Sequence, residues 1–545
     1  MLALPSAAPL VRAASLLAAI ALCFSGCSQT TTGSGPNGSN LRIAIPIDPT
    51  NLNPILTQNQ VESSIDGLIF DELVTLDDRG NEVPDLAAVV PTLNNGGISK
   101  NGLTITYHLR HNVRWHDGAP FTSADVKFTW HAIMSDANNV VSRRGYDEIA
   151  SIDTPDRYTV VMHMKKVFPP AIDTIFGESD SPYRILPAHL LARYPNINQV
   201  PFNAAPVGTG PYRFARWERG DRIVLEANPD YFRGAPHIAQ LTLLIITDQN
   251  TIETELRSHQ ADLALEVTAA GYHSMTSDPS LVGQLVPAPS WYAIVFNTSR
   301  VPLNDVRVRH ALALAVDSHR IARDNTYGTG TVGNADLTPF SWAYDKALPP
   351  APYDPAQAAA LLDAAGWRLG PNGMRQRNGV PLSLQLVYGQ GSETARNTVE
   401  EVQQMLRKIG VDVQLKSYDY AVLYAAAESG GILNSGKFDM TMYAWISGTD
   451  PDNSSMWMCS TIPPKGNDVS RYCSPQMDAA QQLALSTFDR SARKAAYARV
   501  ESLLLQDAPA AFLYDAPQRY VRIPQLRNFK PNGISEGWNA YEWQL

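Results

Sequence analysis

Aromatic and acidic side chains follow one another closely near residue 450. Alternating apolar residues from Phe438 predict a strand, whose other face carries Tyr443 and Trp445 near its end. Turn-forming residues that include Asp450 come directly afterwards. Rings that stack and carboxylates that pair with cations can hold a ligand, and open α/β sheets bind ligands at the carboxyl ends of their strands. We therefore expect a binding edge here.

The two aromatic residues also have a purely structural interpretation, as a covered pair in the core of the sheet. Their face of the strand carries Asp439 and Thr441 rather than aliphatic residues. This polar character favours the cleft for Trp445, and it leaves Tyr443 open between the cleft and the core.

The elements before this strand predict a doubly wound unit. Residues 382–388 and 411–415 alternate as strands. An apolar stripe over 399–409 predicts a helix after the loop at 389–392, and residues 420–427 predict another helix. With the Phe438 strand, the order is β-α-β-α-β, which places the ends of several strands at one edge of a sheet.

The amino terminus predicts export and a lipid anchor. An apolar run from Ala13 to Phe24 is too short to span a bilayer and suits a signal peptide. Ser25-Gly26-Cys27 resembles a bacterial lipobox, although Phe24 stands where leucine is usual. We predict a lipoprotein-type signal peptide over 1–26, lipidation of Cys27 and a flexible tether over 27–40; the alternative is an ordinary signal peptide that is cut nearby.

Export determines how the remaining cysteines are interpreted. Cys459 and Cys473 are an even pair in an oxidising compartment, so a disulfide is expected. A closed loop of this size contributes about 3 kcal/mol in the chain-entropy model. A metal site needs more ligands than this pair has nearby, and none is predicted.

Length and charge restrict the function. The chain has 545 residues, enough for two or more domains, and its net charge of −9 argues against a nucleic-acid partner. The G-x-S-x-G string at 533–537 has no histidine after it, and the G-x-G-x-x-G string at 328–333 follows a helix rather than a strand. Neither predicts an enzyme.

The segment 104–130, TITYHLRHNVRWHDGAPFTSADVKFTW, carries a family resemblance. It is similar to the signature of the family 5 extracytoplasmic solute-binding proteins, the dipeptide-, oligopeptide- and nickel-type receptors of bacterial ABC importers. Further similar motifs follow in order at 207–212, 305–309, 353–355 and 472–475. The resemblance therefore covers the whole mature chain.

The resemblance implies an α/β fold with two lobes, of the class II-like periplasmic-binding-protein type. The first lobe is expected to comprise 41–288 and 512–545 and to carry an inserted subdomain, and the second lobe to comprise 289–511. Crossings near Pro287 and Asp515 are expected to form the hinge.

The resemblance also implies a role. A monomer outside the cytoplasm, with no cofactor, is expected to capture a short peptide and deliver it to an ABC permease, whose ATPase subunits are separate chains. Other solutes in the same role are an oligosaccharide, an opine or chelated nickel. A secreted hydrolase and a structural envelope protein are the alternatives from other classes.

Arg396 is the first of the ligand contacts that the resemblance suggests. It lies in the first turn of a predicted helix, where an arginine beside free N–H groups suits a carboxylate. Dipeptide-binding relatives place the arginine that pairs with the peptide carboxylate at this position. The alternative is a solvated arginine at the end of a helix.

Asp450 is expected to contribute negative charge where the family motif is altered. Dipeptide receptors carry a Trp-x-Gly-Asp run whose aspartate pairs with the peptide amine, but the run from Trp445 to Gly448 lacks that aspartate. Asp450 can supply the charge two positions later, or Asp450 and Asp452 can simply stabilise the turn.

Three further residues complete the predicted site. Trp291 and Tyr292 lie at the expected hinge, where family members contact ligand, and a packed pair between the lobes is the alternative. Asn53 is expected to reach the cleft from the first lobe.

Overall fold

The computed structural model describes residues 39–57, 59–178, 183–333, 335–350 and 352–545. The predicted signal peptide, the lipidation site at Cys27 and most of the tether lie outside the described residues. No described helix combines the length and the apolar character that crossing a membrane requires.

The strands fall into two groups along the chain. The first group is β1 (Asn40–Ile45), β2 (Val74–Leu76), β3 (Glu82–Pro84), β4 (Thr104–His108), β5 (Ile149–Asp156), β6 (Thr159–Met164), β7 (Tyr212–Glu218), β8 (Arg222–Ala227), β9 (Gln240–Ile245), β10 (Leu263–Ala264) and β11 (Val282–Val286). The second group is β12 (Ser290–Phe296), β13 (Arg368–Leu369), β14 (Arg375–Arg377), β15 (Val380–Pro381), β16 (Ser383–Gly389), β17 (Asp412–Tyr418), β18 (Met440–Ile446), β19 (Ala510–Asp515) and β20 (Gln518–Arg522).

The helices lie between these strands. They are α1 (Gln60–Ile69), α2 (Ser123–Met134), α3 (Ala171–Thr174), α4 (Ala188–Leu191), α5 (Gln249–Arg257), α6 (Ala269–Met275), α7 (Val306–Leu314), α8 (Ser318–Thr326), α9 (Pro355–Ala364), α10 (Glu393–Lys408), α11 (Tyr420–Leu423), α12 (Ser454–Trp457), α13 (Pro475–Ala484) and α14 (Arg490–Asp507).

A seven-stranded sheet organises the part of the chain that we call the first lobe. Its order is β11-β20-β10-β1-β9-β8-β7, with β1 parallel to both of its neighbours. A separate three-stranded sheet, β4-β6-β5, packs with α2. One apolar core joins these elements and draws on residues between 41 and 286 and between 520 and 543.

A five-stranded sheet organises the second lobe. Its order is β17-β16-β18-β12-β19; β16 is parallel to β17 and β18, while β12 is antiparallel to β18 and β19. Helix α10 begins after Ser392, whose side chain accepts a hydrogen bond from the Ala395 N–H, and it buries one apolar face against the sheet.

The predicted β-α-β-α-β order is therefore present, but its last helix is shorter than expected. Helix α11 ends at Leu423 rather than near residue 427. The Asn434 amide donates hydrogen bonds to the carbonyls of Tyr424 and Ala425, and these carbonyls then do not continue a helix.

The two lobes are joined by two short segments. Strand β12 begins at Ser290 shortly after β11 ends at Val286, and β20 follows β19 after Ala516 and Pro517. Strand β19 stays in the second sheet as far as Asp515, which pairs with Trp291. The second crossing thus falls beside Asp515, near which it is expected, but residues 512–515, which the predicted bounds assign to the first lobe, pair with β12 in the second sheet.

Candidate functional site

A cavity of about 290 Å³ opens at the edge of the five-stranded sheet. It lies where β16 and β18 end, beside the start of β12 and the end of β19, and Thr268 and Ala269 of the first lobe complete it. The sheet edge is thus the predicted one, and both lobes contribute to the space. Gly389 makes part of the shape possible, because a Cβ there would lie 2.4 Å from the Tyr420 ring.

Four tyrosines in two stacked pairs line this cavity. The ring centroids of Tyr292 and Tyr514 are 4.7 Å apart, and those of Tyr420 and Tyr424 are 6.2 Å apart. Burial raises the pKa of Tyr292, and it raises the pKa of Tyr424 to about 12, so the phenols stay neutral at physiological pH. The cavity therefore has flat apolar walls with neutral hydroxyl groups.

Arg519 is the only charged side chain among the described residues that line the cavity. Its Nε and Nη2 donate hydrogen bonds to the Thr329 hydroxyl at 3.1 and 2.9 Å. Burial lowers the pKa of Arg519, while nearby Tyr292 and Tyr514 oppose that change. In the described part of the chain, no carboxylate forms an ion pair with this guanidinium.

The glycine-rich segment at 328–333 holds Arg519 in place. Thr331 and Asp515 exchange backbone hydrogen bonds of 3.1 and 2.8 Å, so this segment runs beside the end of β19. A Cβ at Gly330 would lie 2.8 Å from Thr326. The segment thus supports the hinge side of the cavity and presents the Thr329 hydroxyl.

The structure separates the predicted aromatic residues. Tyr292 lines the cavity, whereas Trp291 and Tyr443 are buried in a core on the other side of the sheet, with centroids 6.1 Å apart. Trp445 is half-buried and stacks on Tyr443 at 6.2 Å. Side chains alternate along β18, so Met442 and Ala444 face the cavity while Tyr443 and Trp445 face away from it. Trp291, Tyr443 and Trp445 do not line this cavity, and their role in binding stays a prediction.

Asn53 is fully buried within the first lobe. Its amide donates a hydrogen bond of 2.9 Å to the Asn203 side chain, and its side-chain oxygen accepts one from the Ile55 N–H. Both ends of the side chain are thus used internally, and contact with a ligand stays a prediction that would need these bonds to break.

Arg396 lies on the exposed surface of α10, beside the cavity rather than in it. More than half of its side chain is exposed, and its nearest acidic neighbour is Glu393 at 3.8 Å. Neighbouring Ser392, Thr394 and Ala395 line the cavity instead. The pairing of Arg396 with a ligand carboxylate stays a prediction.

Asp450 is already paired inside the protein. Its two carboxylate oxygens accept hydrogen bonds of 2.6 Å from Nη1 and Nη2 of Arg493, and both side chains are 5% exposed. Burial alone lowers the pKa of Arg493, but the charge and the hydrogen bonds of Asp450, together with Tyr497, outweigh that effect and raise it. A ligand amine would have to compete with this guanidinium, so the amine site at Asp450 also stays a prediction.

Asp450 and Arg493 border a second cavity, of about 400 Å³. It lies between the lobes, since Glu82 and Asp173 of the first lobe also line it. Arg490 binds Glu82 across the gap at 2.9 Å, Arg144 binds Asp452 at 2.7 Å, and the Thr449 hydroxyl donates to the Glu178 carbonyl at 2.8 Å. These three contacts hold the lobes together away from the hinge.

The predicted disulfide between Cys459 and Cys473 is present. It closes the loop that follows β18, and the Cys459 N–H donates a hydrogen bond of 2.9 Å to Asp478 at the start of α13. The bond therefore fixes the loop against the second lobe.

Replacing both cysteines with serine is expected to reduce the free energy of unfolding by about 3 kcal/mol, because the unfolded chain regains the entropy of the open loop. Thermal unfolding without reductant measures this loss, and wild-type protein in reductant is the control that should fall similarly. A melting temperature that neither change lowers would contradict the expected contribution.

The sequence did not single out Arg519, Tyr420 or Tyr424 as site residues. Two signals were available in the chain. Tyr420 and Tyr424 are four residues apart at the start of a predicted helix, a spacing that places them on one face. Arg519 follows the expected second crossing by a few residues, where a strand passes between lobes.

A family comparison defines the class of protein. The family model for bacterial extracellular solute-binding proteins, family 5 Middle, matches residues 83–467. The chain belongs to this family of solute-binding proteins, which act outside the cytoplasm, and the predicted two-lobed α/β fold is confirmed.

Individual relatives agree along nearly the whole chain. The oligopeptide-binding protein AppA of Bacillus subtilis is 26% identical over 549 residues, covering 97% of this chain and 98% of that protein. The structure of AppA with a nonapeptide has a TM-score of 0.77 at 25% identity and covers 93% of this chain and 99% of its own. The structure of NikZ from Campylobacter jejuni in complex with Ni(L-His) has a TM-score of 0.78 at 26% identity, with the same two coverages.

Proposed function

We propose that this protein captures short peptides outside the cytoplasm and delivers them to an ABC permease. The observation that carries the proposal is the cavity between the lobes, at the strand ends of the five-stranded sheet, in a chain similar throughout to AppA. Neutral tyrosine faces suit peptide backbones and apolar side chains of varied sequence, because stacking and apolar contact do not depend on one side chain.

Closure of the lobes is the proposed means of capture. The lobes comprise 41–288 with 516–545 and 289–515, and the two crossing segments act as the hinge. A ligand drives closure only as far as it binds the closed form more tightly than the open one. The contacts of Arg144 with Asp452 and of Arg490 with Glu82 form on closure, and a monomer suffices for this mechanism.

Chelated nickel is the second candidate solute, favoured by the similarity to NikZ. The described residues contain no cluster of histidine, cysteine or acidic side chains with metal-binding geometry. In this alternative, the chelator would make the protein contacts and the metal would travel as cargo.

The test is mass spectrometry of solute released by denaturing protein purified from its native envelope. A mixture of peptides of a few residues is expected, at close to one per protein. Release of a metal chelate or a single non-peptide solute would contradict the peptide proposal and leave the receptor role intact, whereas cleavage of peptides by the purified protein would favour a hydrolase.

We also propose that Cys27 carries a lipid that anchors the receptor. Replacing Cys27 with serine is expected to move the protein from the membrane fraction to the soluble extracytoplasmic fraction, because a tether without its acyl chains has no apolar anchor. Immunoblotting of the two fractions measures the change, with Ser34→Ala in the predicted tether as a control that keeps the anchor. A Cys27→Ser protein that stays in the membrane pellet would contradict the anchor.

A further inference from the structure

We propose that Arg519 binds a carboxylate of the ligand, so that the cavity selects solutes with a free carboxylate, such as the carboxyl terminus of a short peptide. This inference deepens the proposed function and rests on it. It assigns the anionic subsite to the hinge strand β20 rather than to Arg396 on α10.

The charge of Arg519 is the first observation. In the described residues no aspartate or glutamate forms an ion pair with it, the groups that influence its pKa include no carboxylate, and no acidic residue lines the cavity. Its facing groups are Tyr272, Tyr292 and Tyr514, all neutral phenols. A partly buried cation without an internal anion is costly, and a ligand anion removes that cost.

The orientation of Arg519 is the second observation. Thr329 accepts hydrogen bonds from Nε and Nη2, which fixes the plane of the guanidinium while Nη1 keeps its donors. A planar guanidinium that is already oriented loses little entropy on pairing with a planar carboxylate. Lysine at this position would supply charge without that geometry.

The neighbouring helix is the third observation. Helix α10 has 16 residues, and its N-cap Ser392 lines the cavity that Arg519 lines, as do Thr394 and Ala395 of its first turn. The amino-terminal end of a helix favours negative charge, and its first N–H groups lack partners within the helix. An anion in this cavity therefore meets two independent sources of positive potential.

The test uses two pools of random tri- to pentapeptides, one with free carboxyl termini and one amidated, offered to mature protein freed of its solute. Peptides retained after rapid gel filtration are quantified by mass spectrometry. Wild-type protein is expected to retain free-acid peptides at least about tenfold better than amides, which corresponds to 1.4 kcal/mol. Arg519→Gln is expected to lose that preference, whereas the matched control Arg396→Gln keeps it.

Each other outcome overturns the assignment in a distinguishable way. Equal retention of both pools by wild type removes the carboxylate subsite and leaves peptide capture standing. A preference lost in Arg396→Gln and kept in Arg519→Gln moves the subsite to α10. Retention of neither pool removes peptide capture and this subsite together.

Two milder variants cover the case in which Arg519→Gln fails to fold. Arg519→Lys keeps the charge, and Thr329→Val removes the hydroxyl that orients it. Both are expected to reduce the preference for free-acid peptides several-fold, and an unchanged preference in both overturns the assignment.

Discussion

Replacing Asp450 with asparagine is expected to lower the free energy of unfolding by about 3–5 kcal/mol. The change leaves the Arg493 guanidinium buried without its carboxylate, since its other hydrogen-bond partners are the neutral Tyr497 hydroxyl and the Ala484 carbonyl. Desolvating a lone cation costs more than the pair contributes. Thermal unfolding of the purified variant measures the loss.

A double variant tests whether the lost stability comes from the unpaired charge of Arg493. Asp450→Leu together with Arg493→Met removes both charges, so most of the lost stability should return. Glu218→Gln, which breaks an exposed pair with Arg216, is the matched control and should cost less than about 1 kcal/mol. An Asp450→Asn protein that unfolds at the wild-type temperature would contradict a stabilising ion pair with Arg493 and would favour the binding of a ligand amine by Asp450.

Replacing Glu501 with glutamine is expected to stabilise the protein by about 3 kcal/mol at pH 7. Burial raises the pKa of Glu501 to about 9 from its ordinary value of 4.5, with Asp336 and Asp345 adding to the effect. The folded protein therefore holds a proton at pH 7 that the unfolded chain has released. Glutamine has the shape of the protonated acid and needs no such proton.

The same pKa fixes how this effect depends on pH. The contribution of protonated Glu501 is complete below about pH 4.5 and is lost as the pH rises toward about 9, because the folded state binds more protons throughout that window. The gain in Glu501→Gln should thus vanish near pH 4.5 and grow with rising pH. Glu428→Gln, at an exposed position, is the control. A gain that is equal at pH 5 and pH 8 would contradict the buried proton.

The sequence predicted the scaffold well because the periodicity of its second lobe matches elements that are buried on defined faces. Leu384, Leu386 and Met440 alternate on strands and lie in one core, and the order of elements follows from them. The family resemblance predicted the two-lobed arrangement, and the even pair of cysteines predicted the disulfide.

The binding site was harder to predict from the sequence, because ion pairs and hydrogen bonds between distant residues decide which polar side chains can still bind a ligand. Asp450 and Arg493 are 43 residues apart, and nothing in the sequence around either residue shows that they form an ion pair with each other. The strand alternation was correct, but it did not tell which face of β18 meets the cavity. Arg519 could be recognised only from the structure, in which the crossing strand places it in a cavity that four tyrosines also line.

A titration of peptide into wild-type protein and into Ala444→Trp tests the central claim most directly. Ala444 lines the cavity on β18 and is exposed, so a tryptophan there fills the space without disturbing a core. Ala360→Trp, at an exposed position on α9, is the matched control. Calorimetry with the peptide released from the native protein should give binding to wild type and Ala360→Trp and none to Ala444→Trp, at similar melting temperatures. Equal affinity in all three proteins would show that the peptide binds elsewhere.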